Sequence, residues 1–380
     1  MSIDIKIFGT LADGRGVKAV TLKNKGGMEA EFLTYGCRIA SLRVPGRNGK
    51  AENVVLGCDT LAEYEAPGNM FGAFVGRYAN RIGGAHFRIR GKDYAAEKNE
   101  GENCLHSGAT GFQNQIWRLK RSKSDDEAPS VTFAYRSPAG EGGFPGNLDA
   151  AVTYTLSTDN ALIIEYRAET DAETPLNLTN HSYFNLTGDP TKEILAEELQ
   201  INADYVTETD DALIPTGKLL PVEGTPFDFR NPKAIGQETT AVTKLISHHA
   251  KTPVEGTPFD FRNPKAIGQD IGAADRALQN CGGYDLNYAM GLANNVRKAA
   301  DLYDGEAGRR MLVFTDLPGI QLYTANSYPA DRKCYGAPAV AHNAVCLETQ
   351  FYPDSVNRPE FPYKNLGIGK TFRSTTIYKF

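Results

Sequence analysis

Short runs of alternating apolar and polar residues recur along the chain. The clearest occupies residues 150–170, where two such runs flank the turn-forming pair Asp159-Asn160. The apolar residues at every second position are Val152, Tyr154 and Leu156 in the first run and Leu162, Ile164 and Tyr166 in the second. Because successive side chains of a strand point to opposite faces, this pattern predicts a β-hairpin with one buried face.

Similar runs elsewhere predict further strands. They are separated by Gly, Pro, Asn and Asp, and they include Lys18–Leu22, Glu29–Thr34, Val131–Tyr135 and Met311–Thr315. Helical patterns are short, and the best candidates are Thr60–Glu65, Thr239–His249 and Asp270–Gln279. None of them is long enough to organise a domain. We therefore predict an all-β fold, a sandwich or barrel that carries a few short helices.

The length of the chain allows a large core. With 380 residues, of which 41% are hydrophobic, it fits either two ordinary domains or one large all-β domain. The repeated strand pattern favours a single domain over residues 1–380. The formal net charge is −5, and Lys and Arg are scattered along the sequence, so there is no basic surface for nucleic acid.

The sequence shows no signal for export or for a membrane. Charged residues interrupt the apolar ones in the first ten positions, unlike the continuous apolar segment of a signal peptide. No apolar run reaches membrane-spanning length. The six cysteines form no Cys-x-x-Cys pair and lie at positions 37, 58, 104, 281, 334 and 346. We therefore expect a cytoplasmic protein with reduced thiols.

One segment of the chain occurs twice. Residues Pro221–Gln237 recur without change as Pro253–Gln269, and Glu238–Thr252 lies between the copies. A solenoid needs at least about three stacked repeats, so two identical copies indicate a segmental duplication inside the single domain. Either copy could occupy one native position, because each offers the same apolar pair, Phe227 and Phe229 in the first copy.

The extra copy allows two interpretations. A surface insertion is tolerated easily, since each doubling of a loop costs only about 0.6 kcal/mol. Alternatively, the copies compete for one pocket, and their exchange moves the following Asp285. The two hypotheses differ in whether removing one copy changes activity and stability.

Two segments place candidate catalytic groups among polar and aromatic residues. Residues 180–186 read Asn-His-Ser-Tyr-Phe-Asn-Leu and contain His181, while residues 346–354 read Cys-Leu-Glu-Thr-Gln-Phe-Tyr-Pro-Asp and contain Glu348. Desolvation in such an uncharged stretch raises the pKa of a carboxyl group. A histidine acid and a carboxylate base are therefore candidates, although a neutral histidine beside aromatic residues is more often structural.

Four more segments complete a pattern. Residues 76–82 (Gly-Arg-Tyr-Ala-Asn-Arg-Ile) and 103–108 (Asn-Cys-Leu-His-Ser-Gly) supply two arginines and another histidine. Residues 283–287 (Gly-Tyr-Asp-Leu-Asn) and 319–326 (Gly-Ile-Gln-Leu-Tyr-Thr-Ala-Asn) follow in order. In identity and order the six motifs resemble those of the aldose 1-epimerases, also called galactose mutarotases, and the resemblance covers nearly the whole chain.

The resemblance implies a fold and an activity. The fold is a large antiparallel β-sandwich with an open sugar cleft on one sheet. The activity is exchange of the α and β anomers of free hexoses such as glucose and galactose, with Glu348 as general base and His181 as general acid. The residues expected to bind the monosaccharide are Asn80, Arg81, His106, Asp285 and Gln321. This chemistry needs no cofactor and no metal, and we expect a monomer or homodimer.

Three residues depart from the family pattern. Leu286 stands where a histidine commonly follows the cleft aspartate. Cys104 and Ser107 flank His106 where serine and glycine are usual. These differences bear on substrate preference more than on activity.

The residues by themselves leave other classes of function open. Glu348 and Asp285 could serve a glycoside hydrolase, which would release a sugar from a glycoside. A lectin-like β-sandwich would bind sugar without exchanging its anomers. A metal enzyme built on His106, His181 and Glu348 has suitable ligand types, but the sequence shows no close ligand spacing.

Overall fold

The computed structural model describes residues 2–125, 127–223, 228–231, 233–234, 266, 268, 271 and 276–380. The strands in the first half of the chain are β1 (Ile3–Thr10), β2 (Gly16–Lys23), β3 (Glu29–Leu33), β4 (Ile39–Pro45), β5 (Ala51–Asn53), β6 (Ala73–Val75), β7 (Arg81–Ile82), β8 (His86–Ile89), β9 (Lys92–Ala95), β10 (Cys104–Leu105), β11 (Arg118–Lys123), β12 (Ser130–Ser137), β13 (Leu148–Leu156) and β14 (Ala161–Thr170). Those in the second half are β15 (Thr179–His181), β16 (Tyr183–Phe184), β17 (Glu198–Ile201), β18 (Tyr205–Thr209), β19 (Pro215–Pro221), β20 (Lys233–Ala234), β21 (Asp285–Ala289), β22 (Arg297–Asp304), β23 (Arg309–Thr315), β24 (Gly319–Tyr323), β25 (Lys333–Cys334), β26 (Ala337–Pro338), β27 (Val345–Gln350) and β28 (Thr371–Lys379).

Three antiparallel sheets carry the fold. The largest has nine strands in the order β11-β12-β13-β14-β28-β23-β22-β17-β20. A second has six strands in the order β16-β27-β24-β21-β18-β19, and a third joins β1 to β5 in sequence. Short pairs add β7 to β10, β6 to β15, β8 to β9 and β25 to β26. The predicted all-β antiparallel architecture is confirmed.

The main core lies where the inner faces of the three sheets meet. Phe32 of β3, Tyr154 of β13 and Leu347 of β27 belong to one buried apolar cluster. The rings of Phe32 and Tyr154 stack with their centroids 4.4 Å apart. Each Å² of buried apolar surface contributes about 25 cal/mol, so this shared core holds the sheets against one another.

The predicted hairpin of residues 150–170 is confirmed as β13 and β14. Their register places Val152 opposite Tyr166 and Tyr154 opposite Ile164, and these four side chains are buried. Asn160 forms the turn with a φ of 60°, a left-handed conformation that asparagine tolerates better than most residues. The other four predicted strands coincide with β2, β3, β12 and β23.

The helices in the described part of the chain are short. α1 spans Leu61–Glu65 and begins with a capping box, in which Glu63 N–H donates to the Thr60 hydroxyl and Thr60 N–H donates to the Glu63 carboxylate. α2 spans Arg276–Cys281 and overlaps the end of the helix predicted at residues 270–279. The predicted helix at 239–249 lies outside the described residues. The 3-10 helices that lie wholly within the described residues are Gly83–Ala85, Gly108–Thr110, Phe112–Asn114, Glu141–Gly143 and Ser355–Asn357.

No helix within the described ranges is long and apolar enough to cross a membrane.

The six cysteines are unpaired, as the sequence predicts, and Cys281 is the one that is partly exposed.

Part of the first duplicated copy packs into the core. Phe229 is fully buried, and its ring lies 6.0 Å from that of Tyr284 and 6.1 Å from that of Tyr288. Its carbonyl accepts a hydrogen bond from Ile201 N–H at 2.7 Å. Lys233 pairs with Leu199, so β20 of the first copy extends the nine-stranded sheet. The second copy is described only at residues 266 and 268.

Candidate active site

The candidate active site lies on one face of the six-stranded sheet, across three neighbouring strands. Asp285 is on β21, Gln321 on β24 and Glu348 on β27. In the antiparallel register Gln321 is opposite both Glu348 and Asn287, and Asp285 lies two residues before Asn287. Because alternate residues share one face of a strand, the four side chains point to the same side of the sheet.

A short strand brings His181 to Glu348. His181 is the last residue of β15, and its Nε2 lies 3.6 Å from Glu348 Oε1. The two residues are only 5% and 2% exposed. The His181 ring stacks on Tyr183 with centroids 5.0 Å apart and an interplanar angle of 16°, which fixes the orientation of the imidazole. The fold therefore joins the two groups that the sequence analysis selects as acid and base.

A second histidine approaches the pair from a tight turn. His106 has a φ of 52°, and its ring meets that of His181 edge to face, with centroids 5.3 Å apart. Asn80 N–H donates to His106 Nδ1 at 3.1 Å, and His106 N–H donates to the Asn80 carbonyl at 3.1 Å. A neutral imidazole has one N–H, so Nδ1 as acceptor leaves the proton on Nε2. His106 is therefore a hydrogen-bond donor through Nε2.

Arg81 and Asp285 are held by their neighbours. The Arg81 guanidinium donates to both carboxylate oxygens of Glu100, at 2.7 and 2.8 Å, and lies 3.5 Å from Asp285 Oδ2. Gln321 Nε2 donates to Asp285 Oδ1 at 2.7 Å. Asn80 Oδ1 accepts from the backbone N–H of Arg81 at 2.9 Å. These contacts fix the expected sugar-binding side chains before any ligand arrives.

Burial controls the charges of the central pair. It lowers the pKa of His181 to about 4. It also raises the pKa of Glu348 well above its usual range, an effect that nearby Asp285 strengthens and Arg81 opposes. Desolvation therefore favours a neutral imidazole and a protonated carboxyl group in the free enzyme. At a separation of 3.6 Å the charge of one group acts directly on the other.

The three central groups include the ligand types of a zinc site. One ligand atom each from His106, His181 and Glu348 lies within 4.8 Å of the others, a grouping that sequence spacing does not reveal. However, the hydrogen bond from Asn80 occupies His106 Nδ1, and Nε2 then carries the proton. Neither nitrogen of His106 offers a free lone pair to a metal, so the arrangement fits proton transfer better than metal binding.

The three residues that depart from the family pattern are not among the side chains expected to bind the sugar. Leu286 belongs to the main core cluster, because it faces the opposite side of β21 from Asp285. Ser107 Oγ accepts from Tyr78 N–H at 2.7 Å, and Cys104 is fully buried in a small apolar cluster. Their effect on substrate preference stays a prediction.

Two further residues support this site and were not predicted from the sequence. Glu100 anchors Arg81 through two hydrogen bonds, and Asn287 stands beside Gln321 on the sheet face. Asn287 could have been found from its alternation with Asp285, since residues two apart in a strand share a face. Glu100 gives no comparable signal, because its pairing with Arg81 depends on how a loop folds back.

The chain is similar in sequence to known proteins over its whole length. The sequence model of the family described as aldose 1-epimerase matches residues 18–250 and 238–379. The chain is 36% identical to a galactose mutarotase of Mus musculus, over 100% of this chain and 99% of that protein. It is 32% identical to an aldose 1-epimerase of Escherichia coli (strain K12), over 97% of this chain and 96% of that protein.

Solved structures share the same architecture. An aldose epimerase homologue from C. elegans superimposes with a TM-score of 0.78 at 29% identity, covering 95% of this chain and 98% of that chain. A galactose 1-epimerase from Lactobacillus acidophilus NCFM gives a TM-score of 0.79 at 24% identity, covering 99% and 98%, and supports the fold.

Proposed function

Because the chain belongs to the aldose 1-epimerase family, we propose that it exchanges the α and β anomers of free hexoses such as glucose and galactose. The observation that carries this proposal is the buried pair of His181 and Glu348, 3.6 Å apart. Around this pair stand the hydrogen-bonding side chains of Arg81, Asp285 and Gln321, which suit a polyhydroxylated ligand.

In the proposed mechanism Glu348 is the general base and His181 the general acid. Glu348 removes the proton of the C1 hydroxyl while His181 protonates the ring oxygen, so the C1–O5 bond breaks and an aldehyde forms. Rotation about C1–C2 presents the other face of the aldehyde. Ring closure then returns both protons, and the reaction balances without a cofactor or metal.

The reactive form of the pair carries its shared proton on His181. In the free enzyme burial favours the proton on Glu348. A bound C1 hydroxyl donates a hydrogen bond to the carboxylate and so favours the charged form. The number of protons does not change, and sugar binding need only shift one proton between atoms 3.6 Å apart.

This coupling predicts an unusual acid limit for activity. Adding a second proton to the pair means protonating His181, whose pKa burial lowers from 6.5 to about 4. We therefore expect kcat/KM for anomer exchange to stay constant from pH 7 down to about 5.5, because kcat/KM reports the free enzyme. A titration of the rate against pH checks this. Loss of activity with a midpoint near 6.5 would contradict the proposed state of the pair.

Asp285 is proposed to accept hydrogen bonds from sugar hydroxyls. Asp285→Asn keeps the shape of the side chain, and its oxygen can still accept from Gln321, but the charge is lost. Hydrogen bonds to a charged group are worth about 1.5–3 kcal/mol, so we expect KM to rise about 10- to 100-fold with a smaller change in kcat. The control is Asp301→Asn, which removes a carboxylate paired with Arg310 in the nine-stranded sheet. Equal KM values for parent and Asp285→Asn would remove Asp285 from the sugar site.

We propose that the protein works in the cytoplasm, which its unpaired cysteines support, and that it acts as a monomer or homodimer. We propose that residues 1–380 form one domain with an internal duplication, supported by a core that draws on all three sheets.

Substrate comparison tests the proposed function. The purified chain is incubated with α-galactose, α-glucose and methyl α-galactoside, and anomer composition is followed by proton NMR. We expect exchange of both free sugars and no change of the methyl glycoside, since a blocked C1 oxygen has no proton for Glu348 to remove. Release of galactose from the glycoside would indicate a hydrolase, and binding without exchange would indicate a lectin.

A further inference from the structure

Two buried amide side chains on the sheet face that carries Glu348, Asn287 and Gln350, have no role in the proposed mechanism. Asn287 is 1% and Gln350 0% exposed. Both polar atoms of each amide lack a hydrogen-bond partner among the described residues, as do Gln321 Oε1 and Glu348 Oε2. A buried polar group without a partner is costly. Buried donors and acceptors without partners on one sheet face therefore point to a bound polar molecule.

The register brings these side chains together. Asn287 is opposite Gln321, and Gln321 is opposite Glu348. Gln350 lies two residues after Glu348 on β27 and opposite Gly319. A Cβ on residue 319 would lie 2.6 Å from Asn287 Oδ1, so the glycine leaves room for the Asn287 amide to reach toward β27. Gln321 and Gln350 thus neighbour Glu348, while Asn287 lies one strand further away and reaches over Gly319 toward Gln350. The three residues Asn287, Gln321 and Gln350 are here called the amide cluster.

We propose that Asn287 and Gln350 are positioning residues that hold an ordered water against Glu348 Oε2 and so orient the carboxylate for proton transfer. A buried water needs two to four polar partners. The amide nitrogens of Asn287 and Gln350 and the oxygens of Gln321 and Glu348 supply them. Hydrogen bonds donated to the carboxylate favour its charged form, which is the form that acts as base. The inference rests on the proposed role of Glu348.

Other ionisable groups also lie around Glu348, and of these Asp285 raises its pKa while Arg81 lowers it. They are His181, His106, Asp285, Arg81, Cys346, Tyr183 and Tyr378. In the described part of the chain none of them is hydrogen-bonded to Glu348 Oε2. The amide cluster is therefore the group placed to orient this oxygen.

The test uses Asn287→Leu and Gln350→Met, which keep the size of each side chain and remove its donors. We expect kcat to fall about tenfold in each variant, with KM within about twofold of the parent value. Without donors the carboxylate is less stable in its charged form, so the pair keeps its last proton to higher pH. The alkaline limb of the kcat profile should therefore move up by about one pH unit.

A matched control lies on the other face of the same strand. Thr349→Val removes the hydrogen bond to the Thr376 hydroxyl at 2.5 Å, and it should lower Tm without moving the pH profile.

The proposal is overturned if both cluster variants keep the parent kcat and alkaline limb. It is equally overturned if they lower Tm alone. If Asn287→Leu does not fold, Gln350→Met and Asn287→Ala decide between these outcomes. An inactive parent chain would instead refute the proposed function, so the two failures are distinguishable.

Discussion

Replacing Glu348 with Gln is expected to lower kcat for anomer exchange by about 10²- to 10⁴-fold, with a change in KM below about threefold. The amide has the shape of the carboxylate and can still accept a hydrogen bond from the C1 hydroxyl. It cannot take the proton, so ring opening loses its base while sugar binding persists. Steady-state polarimetry at several sugar concentrations separates the two constants.

A variant of His181, the proposed acid, extends this experiment. His181→Asn should cause a loss of similar size, and the double variant should be little worse than either single one, because the two groups act as a unit. His86→Asn is the control, since the side chain of His86 is 54% exposed and contacts Asp93 at the surface. Retention of more than about a tenth of the parent kcat by Glu348→Gln would rule out Glu348 as the base.

The second large expected effect is on stability and concerns the duplicated segment. Phe229→Ala is expected to lower the free energy of unfolding by about 3–5 kcal/mol, as removal of a buried Phe side chain usually does. Phe229 is fully buried between Tyr284 and Tyr288. Phe261 holds the same position in an identical sequence, and Phe261→Ala should change stability by no more than about 0.5 kcal/mol. Urea unfolding of the two variants provides the comparison.

The same pair of variants separates the two interpretations of the duplication. If the copies exchanged in one pocket, each single variant would be rescued by the intact copy, and only the double variant would lose stability. Deleting Glu238–Gln269 leaves one copy, and deleting residues 221–252 produces the same polypeptide, so one variant suffices. For a tolerated insertion we expect that variant to keep the parent activity and stability. A clear change in either would support the exchange hypothesis.

Periodicity predicted β2, β3, β12, β13, β14 and β23, and it missed the strands that form the site. β13 alternates between buried and partly exposed residues, so its pattern is visible in the sequence. All six residues of β27 are buried, as are all three of β15. A strand covered on both faces has no polar alternation, so the strands that carry Glu348 and His181 gave no strand signal.

The residues of the site could be predicted from the sequence mainly because they lie in the six motifs. The fold places Glu348 beside His181 and His106, and Asp285 beside Gln321 and Arg81. The spacing of these residues in the sequence could not show that their side chains meet, because they come from distant parts of the chain. The pairing of Glu100 with Arg81 also depends on the tertiary fold. The sequence contains 46 acidic residues, and no pattern distinguishes Glu100 from the others.

The extra residues do not displace Asp285 from the six-stranded sheet. The insertion precedes this strand, yet Asp285 pairs with Tyr323 in the register of the six-stranded sheet. Its carboxylate accepts from Gln321 and faces Arg81. The position of Asp285 is thus fixed by strand pairing on the side of the sheet that carries Glu348.

The decisive measurement is the optical rotation of freshly dissolved α-galactose with and without the purified chain. If His181 and Glu348 exchange protons with the sugar as proposed, the rotation decays to its equilibrium value at a rate that rises in proportion to enzyme concentration, and this acceleration disappears in Glu348→Gln. A decay equal to that in buffer, from a folded chain that still binds galactose, would contradict the proposed activity.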